Sequence, residues 1–308
     1  MSNVLSVVGP VFALIIFGLV TARTRLLDTA ALRGMTDVVF YAGLPALLFL
    51  SIVQAPPLQV VTIAGSFLGT AVVLYFLALA IALLVLRHKL ANSAVFALDS
   101  VFGNCAMLGI PVVAAAYGAD GLAELLAILA FHSAVLLPLA TAFLEMGNGH
   151  GRGFWGVLRA TLPGVLRNPI VVAIIVAFFW RNLSVPMPTA LARLLGMIGQ
   201  AGAPLALFCL GATLPKPRGW KDMREVVLSC VLKLAVMPAT VAAVAWLVGI
   251  HGVAFSAMVL TAAMPTGANA FMLARRFETM LEASATTVLV ATGTSMITLT
   301  VLLTLLPH

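Results

Sequence analysis

Apolar runs long enough to cross a bilayer recur along the whole of this chain, and hydrocarbon allows such a chain very few folds. With no water to bond to, backbone N–H and C=O groups inside a membrane must be paired within the protein, so only helices and closed barrels span it. The runs are helix-sized, since a helical crossing needs roughly 20 residues where a strand needs about ten. Of the 308 residues, 62% are hydrophobic and 9% charged, against roughly 45–50% and 25% in soluble domains. An all-α, multi-pass membrane protein is therefore expected. The formal charge of +7 comes with no basic stripe or aromatic-basic interleaving, so nucleic acid is not an expected partner.

Punctuation at charges and Pro/Gly clusters predicts ten spans, over residues 4–22, 34–53, 58–86, 91–117, 121–143, 169–183, 189–213, 225–249, 252–274 and 280–306. Cytoplasmic loops collect Lys and Arg, which tests that count. Fourteen of the 17 basic residues fall in alternate connections: Arg23, Arg25 and Arg33; Arg87 and Lys89; Arg152, Arg159 and Arg167; Lys216, Arg218, Lys221 and Arg224; Arg275 and Arg276. Only Arg181 and Arg193 lie on the opposite side, and Lys233 falls inside a span. Both termini are thus expected outside. The start, Met1-Ser-Asn, has no basic n-region and no small-residue cleavage site follows, so the first helix is expected to be retained. Cys105, Cys209 and Cys230 all sit in apolar segments without metal-ligand spacing, which predicts buried free thiols. Nothing calls for a metal or cofactor.

Residues 144–168, glycine-rich and arginine-bearing, divide the chain into halves of five spans each, 1–143 and 169–308. An odd number of spans per half inverts one half relative to the other. Internal similarity agrees with this division. Gly43-Leu-Pro45 recurs 159 residues later as Gly202-Ala-Pro204, and Pro111 recurs 154 residues later as Pro265.

Two of the spans are broken in a matched way, at Asn104-Cys-Ala-Met-Leu-Gly109-Ile-Pro111 and at Met264-Pro265-Thr266-Gly267-Ala268-Asn269. Proline lacks an amide hydrogen and glycine relaxes the backbone, so each stretch is expected to unwind in mid-membrane, where freed backbone groups are tolerated only beside protein or a watery cavity.

Together, Gly43-Leu-Pro45, the Asn104 to Pro111 break, Asn168-Pro169 and Pro265-x-Gly267 resemble the auxin efflux carrier family, which includes bacterial malonate- and malate-type carriers and plant PIN proteins. The resemblance covers essentially all of the chain. It implies a ten-helix, 5+5 inverted repeat like that of bile-acid sodium symporters, in which scaffold and transport domains are drawn from both halves and broken spans four and nine cross at their centres. It implies a carboxylate contact at Asn104, and it is compatible with a homodimer, since family members often form one. The connection at 144–168 is far shorter than the regulatory loop of long plant PIN proteins. That favours a bacterial carrier in the inner (plasma) membrane, with both termini periplasmic.

Half-helix amino ends carry partial positive charge and free amide donors, so a crossing of two broken helices suits a small carboxylate. Asn104 adds an amide, and Thr266 and Asn269 offer similar groups from the second break; each could alternatively cap a frayed helix end. Gly109, Pro111, Pro265 and Gly267 shape the two breaks. Gln200 is a candidate to line the same cavity, with Gly43 and Pro45 bending the opposing helix, although packing kinks would account for both turns equally.

Ionisable residues within spans are functional candidates because burying them costs roughly 2.5–3.5 kcal/mol on insertion scales. Lys233 follows Arg224 by nine residues, about 13 Å along a helix, which puts it near mid-bilayer. There it could hold positive charge by the anion path or replace a coupling cation, or else snorkel or pair with Asp37 or Asp99. Asp99 is placed to relay a proton or gate the cytoplasmic entrance, or to anchor a loop. Asp37 is expected at the interface. His132, in mid-span, could titrate near neutral pH or bond a neighbouring helix. Asp120 and Glu124 cluster at the outer surface, where solvation explains them.

The expected function is secondary active or potential-driven transport of a small organic anion, an auxin-like monocarboxylate or a malonate/malate-type dicarboxylate, by alternating access of elevator type. Dicarboxylate uptake could be coupled to protons. Interior negativity favours exit of a monoanion by about 2.3 kcal/mol per 100 mV. The alternative is a sodium-coupled symporter or cation antiporter of the same architecture, but no carboxylate lies between residues 100 and 119 or 252 and 277. An intramembrane enzyme would need a His-Glu-x-x-His motif or paired mid-span aspartates, and an ATP-driven pump a Gly-x-x-x-x-Gly-Lys-Ser/Thr loop; the sequence has none of these.

Overall fold

The computed structural model describes residues 2–24, 26–54, 60–148, 156, 159, 167–183, 185–215 and 222–307, and among these every regular element is a helix. The chain runs through α1 (Ser2–Arg23), α2 (Thr29–Gln54), α3 (Val61–Val85), α4 (Leu90–Val101), α5 (Cys105–Gly147), α6 (Pro169–Asn182), α7 (Thr189–Thr213), α8 (Met223–Leu247), α9 (Gly252–Ala262), α10 (Ala268–Arg276) and α11 (Leu281–Leu305). Among the described residues, α2, α3, α5, α7, α8 and α11 are long and apolar enough to cross a membrane. The described part of α1 and helices α4, α6 and α9 are shorter apolar helices. The connection expected over 144–168 lies mostly outside the described residues, as do Arg25, Arg152, Lys216, Arg218 and Lys221 of the charge count.

Proline sets the local geometry of three helices. In α2, α5 and α8 a wide π turn ends two residues before a proline: Val39–Gly43 before Pro45, Cys105–Gly109 before Pro111, and Leu232–Val236 before Pro238. Proline cannot donate to the carbonyl four residues back and its ring crowds that carbonyl, so the ladder is carried instead by bonds spanning five residues. Leu44, Ile110 and Met237 accordingly donate to the carbonyls of Val39, Cys105 and Leu232.

At 43 residues, α5 would extend about 65 Å at 1.5 Å per residue if straight, twice the roughly 30 Å of hydrocarbon. It departs from helical geometry at Gly118 (φ 61°, ψ −148°), a backbone conformation that glycine adopts without strain. The two arms then lie side by side, for a methyl group placed on Gly109 would sit 3.1 Å from Leu125.

Among the described residues two large hydrophobic cores form, beside a small cluster of Val226, Cys230 and Leu234 of α8 with Ala291 of α11. The first joins α1, α2, α6, α7 and the end of α11 to the segment of α5 on either side of Gly118. The other joins α3, α4, α8 and α10 to the far end of α5, and α9 contributes to both. In the first core the backbones approach very closely: a β-carbon on Gly18 would fall on the Phe208 carbonyl, one on Gly211 on that of Ile15, and one on Gly202 2.6 Å from Gly43 Cα. Small residues bring membrane helices together in this way, because packing rather than hydrophobic expulsion must hold them. The three cysteines are buried free thiols, as expected.

Candidate functional site

Helix α4 ends where Phe102 turns extended (φ −78°, ψ 107°), and α5 starts only at Cys105. Helix α9 ends at Ala262, and α10 starts after Gly267, also extended (φ −77°, ψ 144°). The two unwound stretches lie against each other as an antiparallel bridge between Gly103 and Thr266. Asn104 N–H donates to the Pro265 carbonyl at 2.8 Å and Gly267 N–H to the Phe102 carbonyl at 2.9 Å. Each break thereby satisfies backbone groups that the other exposes, which is how hydrocarbon can tolerate both. Glycine fits closely at 267, where a β-carbon would stand 2.9 Å from the Phe102 ring and press on it.

The carboxyl and amino ends of these half-helices are treated differently. On the carboxyl side, the Lys233 ammonium donates to the carbonyl of Ala262, the last residue of α9. A cation there satisfies an orphan carbonyl and opposes the negative end of the helix dipole. The Thr266 hydroxyl donates to the Asp99 carbonyl at 2.8 Å, and the Ser284 hydroxyl to the Asp99 carboxylate at 2.9 Å. On the amino side the ends are open. Asn104 Oδ1 accepts from Met107 N–H at 3.3 Å and caps α5, leaving its Nδ2 without a partner among the described residues.

A small cleft of ≈ 70 Å³ opens onto both amino ends, for its lining includes Asn104, Cys105 and Ala106 at the start of α5 and Gly267, Ala268 and Asn269 at the start of α10. Phe40 of α2 and Asn168 and Ile170 at the start of α6 close it on the side of the first core, and Phe102 and His132 line it as well. Amide donors and two positive dipole ends facing one cleft make a site for negative charge. No Asp, Glu, Lys or Arg is among its described lining residues.

The sequence matches the membrane transport protein family over residues 3–303. The chain belongs to that family. The match, which takes in the auxin efflux carriers, covers both halves and both breaks. This member of the membrane transport protein family is 27% identical to a Rhizobium meliloti protein named "Putative malonate transporter", over 99% of this chain and 97% of that one. It is 22% identical to an uncharacterized transporter of Methanocaldococcus jannaschii, over 95% and 96% of the two chains, and 24% identical to the uncharacterized transporter YfdV of Escherichia coli, over 87% and 86%. The protein is thus a membrane transporter by family.

Several residues of this transporter stand elsewhere than expected. The first break is centred on residues 102–104 instead of running on to Pro111. Gly109 and Pro111 are helical, Pro111 just past the π turn whose five-residue bonds bypass its missing amide, and Gly109 admits Leu125 of the returning arm. Thr266 is buried and turned toward Asp99, outside the cleft lining, whereas Asn269 is exposed at the rim. Gly43 is in the contact between α2 and α7, and neither it, Pro45 nor the exposed Gln200 is part of the cleft lining. Asp37 is exposed on α2, and Asp99 is buried behind the bridge. Lys233 is buried beside Gly103 and donates to a carbonyl, with no ion pair among the described residues. His132 reaches the cleft wall. Phe40, Phe102 and Ser133 line the cleft without having been singled out. Only Phe102 carried a signal, as the residue where apolar periodicity runs into Gly103-Asn104.

Proposed function

We propose that the protein is a secondary transporter of small organic anions that works by alternating access, with ten spans in a 5+5 inverted repeat about the connection at 144–168. Broken spans four (α4 and the first arm of α5) and nine (α9 and α10) cross at the Gly103–Thr266 bridge. One observation carries this reading: the amino ends of two half-helices, with the unengaged Asn104 amide between them, line a single cleft. A carboxylate placed there would take N–H donors from both halves of the chain. The Lys233 ammonium, on the far side of the bridge, adds positive charge without occupying the cleft. The cleft lies where elements of the two hydrophobic cores meet, so a sliding of one core past the other would expose it first to one side of the membrane and then to the other. The name of the Rhizobium meliloti relative points the substrate toward malonate-type dicarboxylates.

The test is uptake of labelled malonate, malate and indole acetate into proteoliposomes, under proton, sodium and voltage gradients imposed one at a time. Uptake of at least one acid, lost on Asn104→Ala, is the expected result. Unchanged transport in that variant would remove Asn104 from the site, and flux driven by sodium alone would establish the symporter alternative.

A further inference from the structure

The cleft has a second polar feature that the dipole argument leaves unused. His132, on the returning arm of α5, is 1% exposed, and its Nε2 is buried without a hydrogen-bond partner. Its ring lies 4.5 Å from that of Phe102 and 6.1 Å from that of Phe67, so aromatic neighbours hold it in place. A buried polar atom left unpaired costs about 1–3 kcal/mol, and an imidazole nitrogen can be completed by either a donor or an acceptor.

Its position matches that of Asn104. Asn104 precedes Gly118 by as many residues as His132 follows it, so the two adjacent arms carry both residues to one depth. Neighbouring helices pack about 8–10 Å apart, axis to axis. Two side chains that line one cleft from adjacent helices are therefore separated by a gap that only a short molecule fits. Of the other polar side chains there, Asn168 Oδ1 is committed to Ile170 N–H, Asn269 is exposed at the rim, and Ser133, next to His132 on the same arm, adds a hydroxyl on the same side of the cleft.

Resting on the anion-carrier reading above, we infer that His132 Nε2 holds the second polar head of a short, two-headed acid whose first carboxylate sits at Asn104 and the two helix amino ends. The contact with His132 is what separates a dicarboxylate from a monocarboxylate of similar length. His132 is then the residue that sets the preference for the short dicarboxylates of the reading above.

The experiment is equilibrium binding of malonate and of acetate to the full-length protein in detergent, for the wild type, His132→Leu and His132→Gln, with melting temperature as the check of folding. In the wild type malonate should bind at least about tenfold more tightly than acetate, a difference of about 1.4 kcal/mol. His132→Leu should bring the two within about twofold of each other while acetate affinity holds, and His132→Gln, which keeps a hydrogen-bonding head, should preserve most of the preference. A preference unchanged in His132→Leu, or equal loss of both acids in that variant while it remains folded, overturns the inference. Wild-type protein that binds acetate as well as malonate overturns it too, yet leaves the anion site standing. Wild-type protein that binds neither acid removes the anion reading and this inference together.

Discussion

At Gly43 and Gly202 the two halves of the chain meet as helices, whereas at Gly103 and Thr266 they meet as bare backbone. The first contact is closed, since a β-carbon on either glycine would lie within 2.7 Å of the other's backbone. Its helical hydrogen bonds are made within each helix, and the glycines serve only to let the surfaces touch. At the second contact the hydrogen bonds run between the halves, and what the pairing leaves over are amino-terminal amides facing a cleft. Related Gly/Pro signals thus build a packed seam in one place and a polar opening in the other. The position of the proline relative to the bend decides which. Pro45 and Pro111 each follow a π turn that keeps the helix continuous, while Pro265 stands inside the gap and uses its carbonyl to receive the Asn104 amide.

The sharpest way to break this comparison is at the closed seam. Gly202→Val would force two backbones apart, and overpacking of this kind costs about 1–3 kcal/mol or more. Loss of a monodisperse protein, or a large drop in melting temperature, is expected, while Gly65→Ala, where the added methyl meets nothing within 4 Å, should leave both unchanged.

Lys233→Met strikes the carboxyl side of the open contact. It leaves the Ala262 carbonyl without its side-chain donor, at a cost of about 1–3 kcal/mol, and removes the charge behind the bridge. Anion uptake in proteoliposomes should fall further than the melting temperature suggests, and Lys233→Arg should not restore it in so enclosed a site.

Gly267→Ala sharpens the comparison further. The new methyl presses on the Phe102 ring, which is backed by His132, so a loss of about 1 kcal/mol in stability should accompany a larger loss of substrate affinity, measured by calorimetry. The smallest effect belongs to a site outside both contacts. His88 Nε2 lies 3.2 Å from Glu225, the two side chains 23% and 16% exposed, and pairs that solvent still reaches contribute at most about 1 kcal/mol, so His88→Gln should change neither melting temperature nor uptake appreciably.

Much of the fold was legible in the residues. Apolar run lengths placed the helices, Asn104 and Pro265-Thr266-Gly267 lie where the backbone unwinds, and Asn104 lines the cleft. The extent of the first break was misread because Gly109 and Pro111 look like helix breakers. A proline whose missing bond is bypassed by a π turn does not break the helix, and only the location of the helix start, three residues after Phe102, shows that the gap lies ahead of it. Gln200, two residues before the Gly202-Ala-Pro204 turn, is exposed and outside the cleft lining, because which side of a helix meets its partner depends on the partner. Thr266 could serve a ligand or cap a helix end, and its hydroxyl goes to the Asp99 carbonyl in the last turn of α4, 167 positions earlier in the chain.

The sequence by itself determined that this chain is helical and membrane-bound and where its helices are interrupted, because hydrocarbon penalises every unpaired backbone group and polar side chain locally, residue by residue. Only the tertiary structure decided that the two interruptions bond to each other, that Lys233 and Asp99 stand behind them, and that Asn104 and His132 look into the same cleft. Those outcomes rest on hydrogen bonds and packing between segments from 29 to more than 160 residues apart, or on a hairpin turn at Gly118, and no local pattern encodes which distant surface a side chain will meet.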